Sequence, residues 1–219
     1  MIFAIIPVKR FENSKSRLAP LLGLQDRITL AGLMLDDTLA ALAAPGCFEE
    51  ILVVTGDPRA KEIAGRRGAG IIFQEKDAGV NSAVALADAY SAKAGAQATV
   101  VVPQDLLLMN AGDIASVCAL AKDGPCVALC PSLRFDGTNI LLRRPPSAIA
   151  TRYDDNSYEN HLRAARAAGL PVRIIDSKNL MFDLDTPEDV RELARIPHGA
   201  VAAKSTTSFI KSVVSGGFR

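Results

Sequence analysis

Seven short apolar runs, most of them separated by longer stretches of helical period, constrain this chain more than any other feature. The runs are Ile2–Ile6, Ile51–Thr55, Gly70–Phe73, Thr99–Val102, Cys126–Cys130, Asn139–Leu142 and Val172–Ile175. Runs of this length read as strands buried on both faces, and a parallel strand pair needs a crossover long enough to hold a helix. Helical patterns occur at Gln25–Ala43, Pro58–Arg67, Asn81–Ala94, Ala111–Ala121, Ser157–Ala168 and Pro187–Ala194. Asp57 before Pro58 marks a helix start, as does Thr186 before Pro187 with Glu188 and Asp189 in the first turn. The pattern predicts an α/β fold with a mostly parallel mixed sheet flanked by helices. After Val102, loops rich in Pro, Gly and Asp separate the strands, which predicts antiparallel additions to the sheet or a small lid. One domain is expected over residues 1–195. The tail, 196–219, is rich in Ser, Gly, Ala and Thr, and its segment Thr207–Val214 is expected as an edge strand or a mobile stretch.

At 219 residues the chain is long enough to bury one substantial core. Its 25 basic and 24 acidic residues leave a net charge of +1, without a broad electrostatic footprint for nucleic acid, and the absence of Trp argues against a base-stacking surface. No nucleic-acid partner is expected. The four cysteines (Cys47, Cys118, Cys126 and Cys130) form no Cys-x-x-Cys pair, and only His161 and His198 are available to complete a zinc site. Buried thiols are expected, with Cys126 and Cys130 on one face of a strand. The N-terminal MIFAIIPVKR has no basic stretch before its apolar run and no small-residue cleavage site after it. No apolar stretch approaches the ~20 residues that span a bilayer. A cytoplasmic protein with no membrane partner is expected, and the apolar segment Ser208–Val214 offers a homodimer contact.

In an open parallel sheet, ligands bind beyond the carboxyl ends of the strands. The first strand runs there into the loop Pro7-Val8-Lys9-Arg10-Phe11-Glu12-Asn13-Ser14-Lys15-Ser16-Arg17-Leu18. Its four cations, Lys9, Arg10, Lys15 and Arg17, can surround a triphosphate and neutralise charge on departing pyrophosphate. The loop is neither a Walker loop nor a Gly-x-Gly-x-x-Gly fingerprint. A solvated basic loop is the plain alternative. Asp105 follows the Val100–Val102 run through Pro103 and Gln104, at the same sheet edge. It suits either a Mg²⁺ ligand or a cap for the following helix, and local sequence favours neither. Asp183 and Asp185, two apart in an extended segment, point the same way as paired carboxylates whose repulsion a divalent cation relieves. Helix capping accounts for Thr186 to Asp189 but not for Asp183. A haloacid-dehalogenase-type phosphatase also carries two Asp one residue apart, but directly after its first strand. Here the pair lies near the C-terminal end and Thr186 adjoins Asp185.

A further cluster spans Phe135-Asp136-Gly137-Thr138-Asn139 and Tyr153 to His161. Gly137 permits a tight turn, and Thr138 and Asn139 offer neutral donors. Ser157 fits an N-cap, so the positive end of its helix faces the same region, where phosphate binds well. His161, one turn further in, either touches a ligand or is a structural helix residue.

Taken in order, these segments resemble the 2-phospho-L-lactate guanylyltransferases of coenzyme F420 biosynthesis. The resemblance runs from Ile5 to about Leu193. It rests on Ile6-Pro7-Val8-Lys9 with Lys15-Ser16-Arg17-Leu18, Asp77-Ala78-Gly79-Val80-Asn81, Pro103-Gln104-Asp105-Leu106, Gly137-Thr138-Asn139, Ser157-Tyr158-Glu159-Asn160-His161 and the segment Asp183 to Asp189. It implies a single-domain, Rossmann-like fold of the nucleotide-diphospho-sugar transferase type. It also implies reaction of GTP with 2-phospho-L-lactate, a phosphorylated 2-hydroxy acid, to give lactyl-2-diphospho-5′-guanosine and pyrophosphate. Similar enzymes take phosphoenolpyruvate or 3-phosphoglycerate. By the same resemblance, Lys9, Lys15 and Arg17 handle the triphosphate beside Pro7 and Ser16, while Asp77, Gly79 and Asn81 lie near base and ribose. Asp105, Asp183 and Asp185 would bind Mg²⁺, and Thr138, Asn139, Ser157 and His161 would hold the acceptor. Lys9, Lys15, Arg17 and Asp105 form the implied catalytic set. Three residues depart from the pattern: Gln104 where a small residue is expected, Leu107 for Pro, and Asp154 for Gly. Asp154 would repel an acceptor phosphate unless it turns away or meets a cation. Two other readings share these residues: a nucleotidyltransferase of this fold with a different nucleotide or acceptor, and a catalytically silent nucleotide-binding protein.

Overall fold

All seven apolar runs form strands: β1 (Ile2–Val8), β2 (Glu50–Thr55), β3 (Gly70–Phe73), β4 (Ala98–Val101), β5 (Cys126–Pro131), β6 (Thr138–Arg144) and β7 (Val172–Ile174). They make one sheet, in the order β3-β2-β1-β4-β6-β5-β7, in the computed structural model, which describes residues 1–197 and 201–215. The pairs β1–β2, β2–β3, β1–β4 and β5–β7 are parallel, whereas β6 is antiparallel to both β4 and β5. The changed rhythm after Val102 is therefore one antiparallel strand inserted into a parallel sheet.

The six expected helices are present within two residues at each end: α1 (Leu24–Ala43), α2 (Pro58–Arg66), α3 (Gly79–Lys93), α4 (Ala111–Ala119), α5 (Ser157–Ala167) and, after the short α6 (Lys178–Met181), α7 (Pro187–Arg195). Strand alternation divides the core into two layers. Ala4, Ile6 and Val8 of β1 pack with Leu30, Met34 and Leu35 of α1, while Phe3 and Ile5 face Ala83, Val84 and Ala87 of α3. Cys126 and Cys130 share the first layer, as their spacing predicts, and all four cysteines are free thiols. His198 lies outside the described residues.

One buried charge was not legible in the sequence. Arg143 of β6 is fully buried and makes a bidentate pair with Asp88 of α3, Nη1 to Oδ2 and Nη2 to Oδ1, each at 2.7 Å. Such a pair offsets the large cost of desolvating a guanidinium.

The tail departs from expectation. Thr207–Val214 is neither strand nor loose segment but part of a helix, α8 (Lys204–Ser215). Thr206 N donates to Asp37 Oδ2 of α1 at 2.8 Å, and Ile210, Val201 and Ala203 enter the main core. The apolar residues on which the homodimer contact rested are thus packed within the chain itself, with Phe209, Val213 and Val214 against the same core. Among the described residues no helix is long and apolar enough to cross a membrane.

The topology also opens a crevice at one edge of the sheet. β1 has β2 on one side and β4 on the other, so the chain winds outward to β3 and returns across β1. The loops leaving β1 and β4 diverge there and open a crevice at their carboxyl ends.

Candidate active site

The loop after β1 is anchored from inside. Phe11 and Leu18 are buried in the core, and Phe11 N donates to Asp57 Oδ2 at 2.8 Å. Asp57, itself fully buried, also caps α2 by accepting from Arg59 N and Ala60 N. Arg27 Nη1 donates to Ser14 O at 3.2 Å. Two single turns of 3₁₀ helix, Phe11–Asn13 and Ser16–Leu18, flank Lys15, whose φ of 52° lies in the left-handed region that non-glycine residues seldom use. Within this anchored loop Lys15 is only 8% exposed, whereas Lys9, Arg10, Ser16 and Arg17 remain on the surface.

Lys15 Nζ reaches Asp105 Oδ2 at 2.6 Å and Asp185 Oδ1 at 2.7 Å, joining three distant segments. Burial works against its ammonium, but Asp105 and Asp185 outweigh it and hold its pKa above the ordinary lysine value. Arg17 Nη1 adds a longer ion pair, 3.7 Å from Asp185 Oδ2. The capping alternatives fall away. Asn110, not Asp105, caps α4 in a capping box with Asp113, and Thr186 caps α7 with Asp189. Leu184 N donates to Asp105 O at 3.2 Å, which lays the Asp183–Asp185 segment beside the β4 loop. Asp183 accepts from Asn139 Nδ2 at 3.3 Å. Burial, with Asp105 and Asp185 nearby, pushes its pKa up to about 6. Asp105 Oδ1 is buried without a hydrogen-bond partner. Both observations describe a carboxylate group short of positive charge, which fits a hard divalent cation. Among the described residues no three His, Cys, Asp or Glu stand at metal-binding spacing, and the Lys15 ammonium bridges two of the carboxylates.

Two lobes meet at this cluster. The first, of about 630 Å³, is lined by Pro7, Lys9, Lys15, Ser16, Arg17, Asp77 and Gly79, together with Gln74, Val80 and Gln104. Gly79, at φ +83°, takes a conformation that suits glycine, and its N–H donates to Asp77 Oδ1 at 3.3 Å. The second, of about 410 Å³, is lined by Thr138, Asn139, Ser157 and Asp183, with Ser132, Arg134 and Asp154. Pro7, Arg17, Asp105, Tyr153 and Asp185 border both.

Four expectations need correction. Asn81 lines neither lobe: its side chain accepts from Tyr153 N at 2.8 Å and donates to Asp154 Oδ1 at 3.4 Å, holding the Tyr153–Asp154 segment in place. His161 is fully buried beneath the second lobe, so it does not line it. Ser157 is the first helical residue, not the cap; the cap is Asn156, left-handed at φ 56°. The left-handed residue of the 135–139 turn is Phe135 at φ 60°, while Gly137 packs against Ser132, where a Cβ would lie 3.4 Å from Ser132 Cβ and Oγ. Asp154 does line the second lobe, and its carboxylate meets the neutral Asn81 amide.

The chain that builds this basic loop, these three convergent carboxylates and these two joined lobes matches one known family along almost its whole length. The family model described as "Guanylyl transferase CofC like" matches residues 2–215. The chain belongs to this family. As a CofC-like guanylyl transferase it is a nucleotidyltransferase. It is 37% identical over 192 residues to the phosphoenolpyruvate guanylyltransferase of Rubrobacter xylanophilus, covering 88% of this chain and 93% of the relative. It is 34% identical over 196 residues to the 2-phospho-L-lactate guanylyltransferase of Methanothermobacter thermautotrophicus, covering 90% and 84%. The 3-phospho-D-glycerate guanylyltransferase of Phenylobacterium zucineum is 33% identical over 207 residues, covering 93% and 94%. Among solved structures, a protein of Desulfovibrio desulfuricans G20 assigned to the nucleotide-diphospho-sugar transferases superposes with a TM-score of 0.77 at 15% identity, over 98% of this chain and 97% of that one, which shows the shared fold.

Sequence reasoning about this guanylyl transferase missed Gln74, Arg134 and Tyr153 at the site. Gln74 follows β3 directly, at the carboxyl end of a strand, and that position is a readable signal. Arg134 and Tyr153 lie in irregular segments whose path the sequence does not fix. Tyr153 stacks edge-on against His161 with ring centroids 4.8 Å apart.

Proposed function

We propose that this guanylyl transferase is a cytoplasmic, Mg²⁺-dependent enzyme that transfers GMP from GTP to 2-phospho-L-lactate or a close analogue, phosphoenolpyruvate or 3-phosphoglycerate, in coenzyme F420 biosynthesis. The observation that carries this reading is the buried Lys15 ammonium between Asp105 and Asp185 where the two lobes join. The larger lobe suits GTP, with Pro7, Lys9, Lys15, Ser16 and Arg17 around the triphosphate and Asp77 and Gly79 toward base and ribose. The smaller suits a three-carbon phosphorylated acid on Thr138, Asn139 and Ser157. Asp105, Asp183 and Asp185 would hold Mg²⁺, which when bound offsets charge on phosphate oxygens. A GTP-consuming reaction belongs where nucleoside triphosphates are abundant, in the cytoplasm.

In this reading an acceptor phosphate oxygen attacks the α-phosphorus of GTP, forming the new P–O bond as the bond to pyrophosphate breaks and its electron pair leaves with pyrophosphate. The nucleophile is already an oxyanion, so no proton has to be removed. What the protein supplies is alignment and fixed positive charge from Lys15 and Arg17. Relatives named for three different acceptors support a phosphorylated three-carbon acid as the class. The test is pyrophosphate release from GTP with each of the three acceptors offered separately, with and without Mg²⁺. Release that needs both metal and one acceptor is expected. Pyrophosphate release with none of them, or undiminished release in excess chelator, overturns the reading.

A further inference from the structure

A chain of hydrogen bonds runs from the backbone into the second lobe, and its direction is fixed at one end. Arg152 N lies 2.8 Å from His161 Nε2. A backbone N–H only donates, so Nε2 must be the bare, accepting nitrogen, and the neutral ring carries its proton on Nδ1. Nδ1 lies 2.9 Å from Thr138 Oγ1, which therefore accepts from it. Ser157 Oγ also donates to Thr138 Oγ1, at 3.3 Å. Both lone pairs of the Thr138 hydroxyl are then in use, and its own proton is left to point elsewhere. Thr138 and Ser157 line the second lobe although each is more than nine-tenths buried, and His161 is fully buried behind them. The adjacent α5 starts at a cap whose side chain makes no hydrogen bond, so its first-turn N–H groups are not closed off either.

We infer that His161 is a positioning residue that fixes the Thr138 hydroxyl as a donor, so that Thr138 offers its proton to an oxyanion of the acceptor in the lobe. The inference rests on the reading of the second lobe as the acceptor site. His161 never touches the acceptor; it acts through Thr138. The arrangement explains why a neutral histidine, and not a third cation, lies there: the lobe already holds Arg17 and Arg134, and what it lacks is a fixed polarity at the Thr138 hydroxyl.

Two measurements test it. The imidazole ¹⁵N spectrum of the whole protein, with His198→Gln used to assign the two histidines, is expected to show His161 with its proton on Nδ1. A proton on Nε2 overturns the inference wherever the acceptor binds. Steady-state kinetics then compare His161→Asn with His161→Gln. The Asn amide can replace the Nδ1–H donor but leaves Arg152 N–H unpaired. The Gln carbonyl can satisfy Arg152 while leaving Thr138 without its donor. His161→Gln is expected to raise the acceptor KM about tenfold, as Thr138→Val does, with the GTP KM unchanged. His161→Asn is expected to lower thermal stability while keeping the acceptor KM within about threefold of wild type. If the acceptor KM rises and stability falls together in both variants, His161 is merely structural and the inference fails. If Thr138→Val itself leaves the acceptor KM untouched, the acceptor-site reading has failed instead.

Discussion

Lys15 shows how much a single side chain can be asked to do. It is a buried cation in a strained backbone conformation, and two carboxylates separated from it by 90 and 170 residues keep it charged. Lys15→Ala removes that charge and leaves Asp105 and Asp185 facing one another. Turnover is expected to fall about 10²-fold with a raised GTP KM, read from pyrophosphate release. Unchanged kinetics would return the loop to a solvated surface. Asp105→Ala should lower turnover by on the order of 10³-fold or more while the circular dichroism spectrum and melting temperature stay near wild type, since Asp105 caps no helix. His161 makes a third prediction, about pH. Burial, with Arg143 and Arg152 adding to it, pushes its pKa down to about 4 from an ordinary 6.5. Between those values the unfolded chain binds more protons than the folded one, so stability is full above pH 6.5 and is lost as pH falls toward 4. The slope is at most about 1.4 kcal/mol per pH unit. Asp183, pushed up to about 6, contributes the opposite slope in the same window, so denaturant titrations from pH 7 to pH 4.5 should show the His161 slope as the difference between wild type and His161→Asn.

At the scale of elements, the basic loop depends on a helix cap that lies in another segment. Asp57 closes the start of α2 and at the same time accepts from Phe11 N in the loop. The sequence showed the first role, because an Asp before Pro is a local signal. It did not show the second, because Phe11 is 46 residues away. Asp57→Ala is expected to cost about 2–4 kcal/mol in chemical denaturation, more than the ~1 kcal/mol of an ordinary cap, because a buried N–H is also orphaned. It should raise the GTP KM as well, since Lys9 to Arg17 lose their anchor. A loss of stability with GTP binding intact would show the tether to be dispensable. The β4 loop teaches the converse. Asn110 and Asp113 form the capping box of α4, a local pairing three residues apart that leaves Asp105 without a capping role, a choice that local sequence leaves open.

For the molecule as a whole, the described part of the tail belongs to the fold. α8 is built from Lys204-Ser205-Thr206-Thr207-Ser208-Phe209-Ile210, followed by Lys211 to Ser215, a composition with weak helical preference. Its helicity comes from packing Ile210 and its neighbours against α1 and α7. Truncation after Ile196 is therefore expected to cost about 3–5 kcal/mol and to lower the melting temperature, with light scattering as the control for a change of mass. A truncated chain as stable as the full one would show that this packing contributes nothing.

The sequence by itself determined the strands, six of the helices, the sheet edge at which the candidate site lies and the three aspartates worth watching. All of these rest on local period, caps and strand ends, which are properties of neighbours along the chain. The tertiary structure alone decided that Lys15 would be the buried cation among four candidates, that Arg143 would be buried against Asp88, and that His161 would stand behind the site and not in it. It also decided that the tail would be a helix. Each of these depends on contacts between segments far apart in sequence, where the cost of burying a charge or a polar hydrogen falls only when a distant partner arrives.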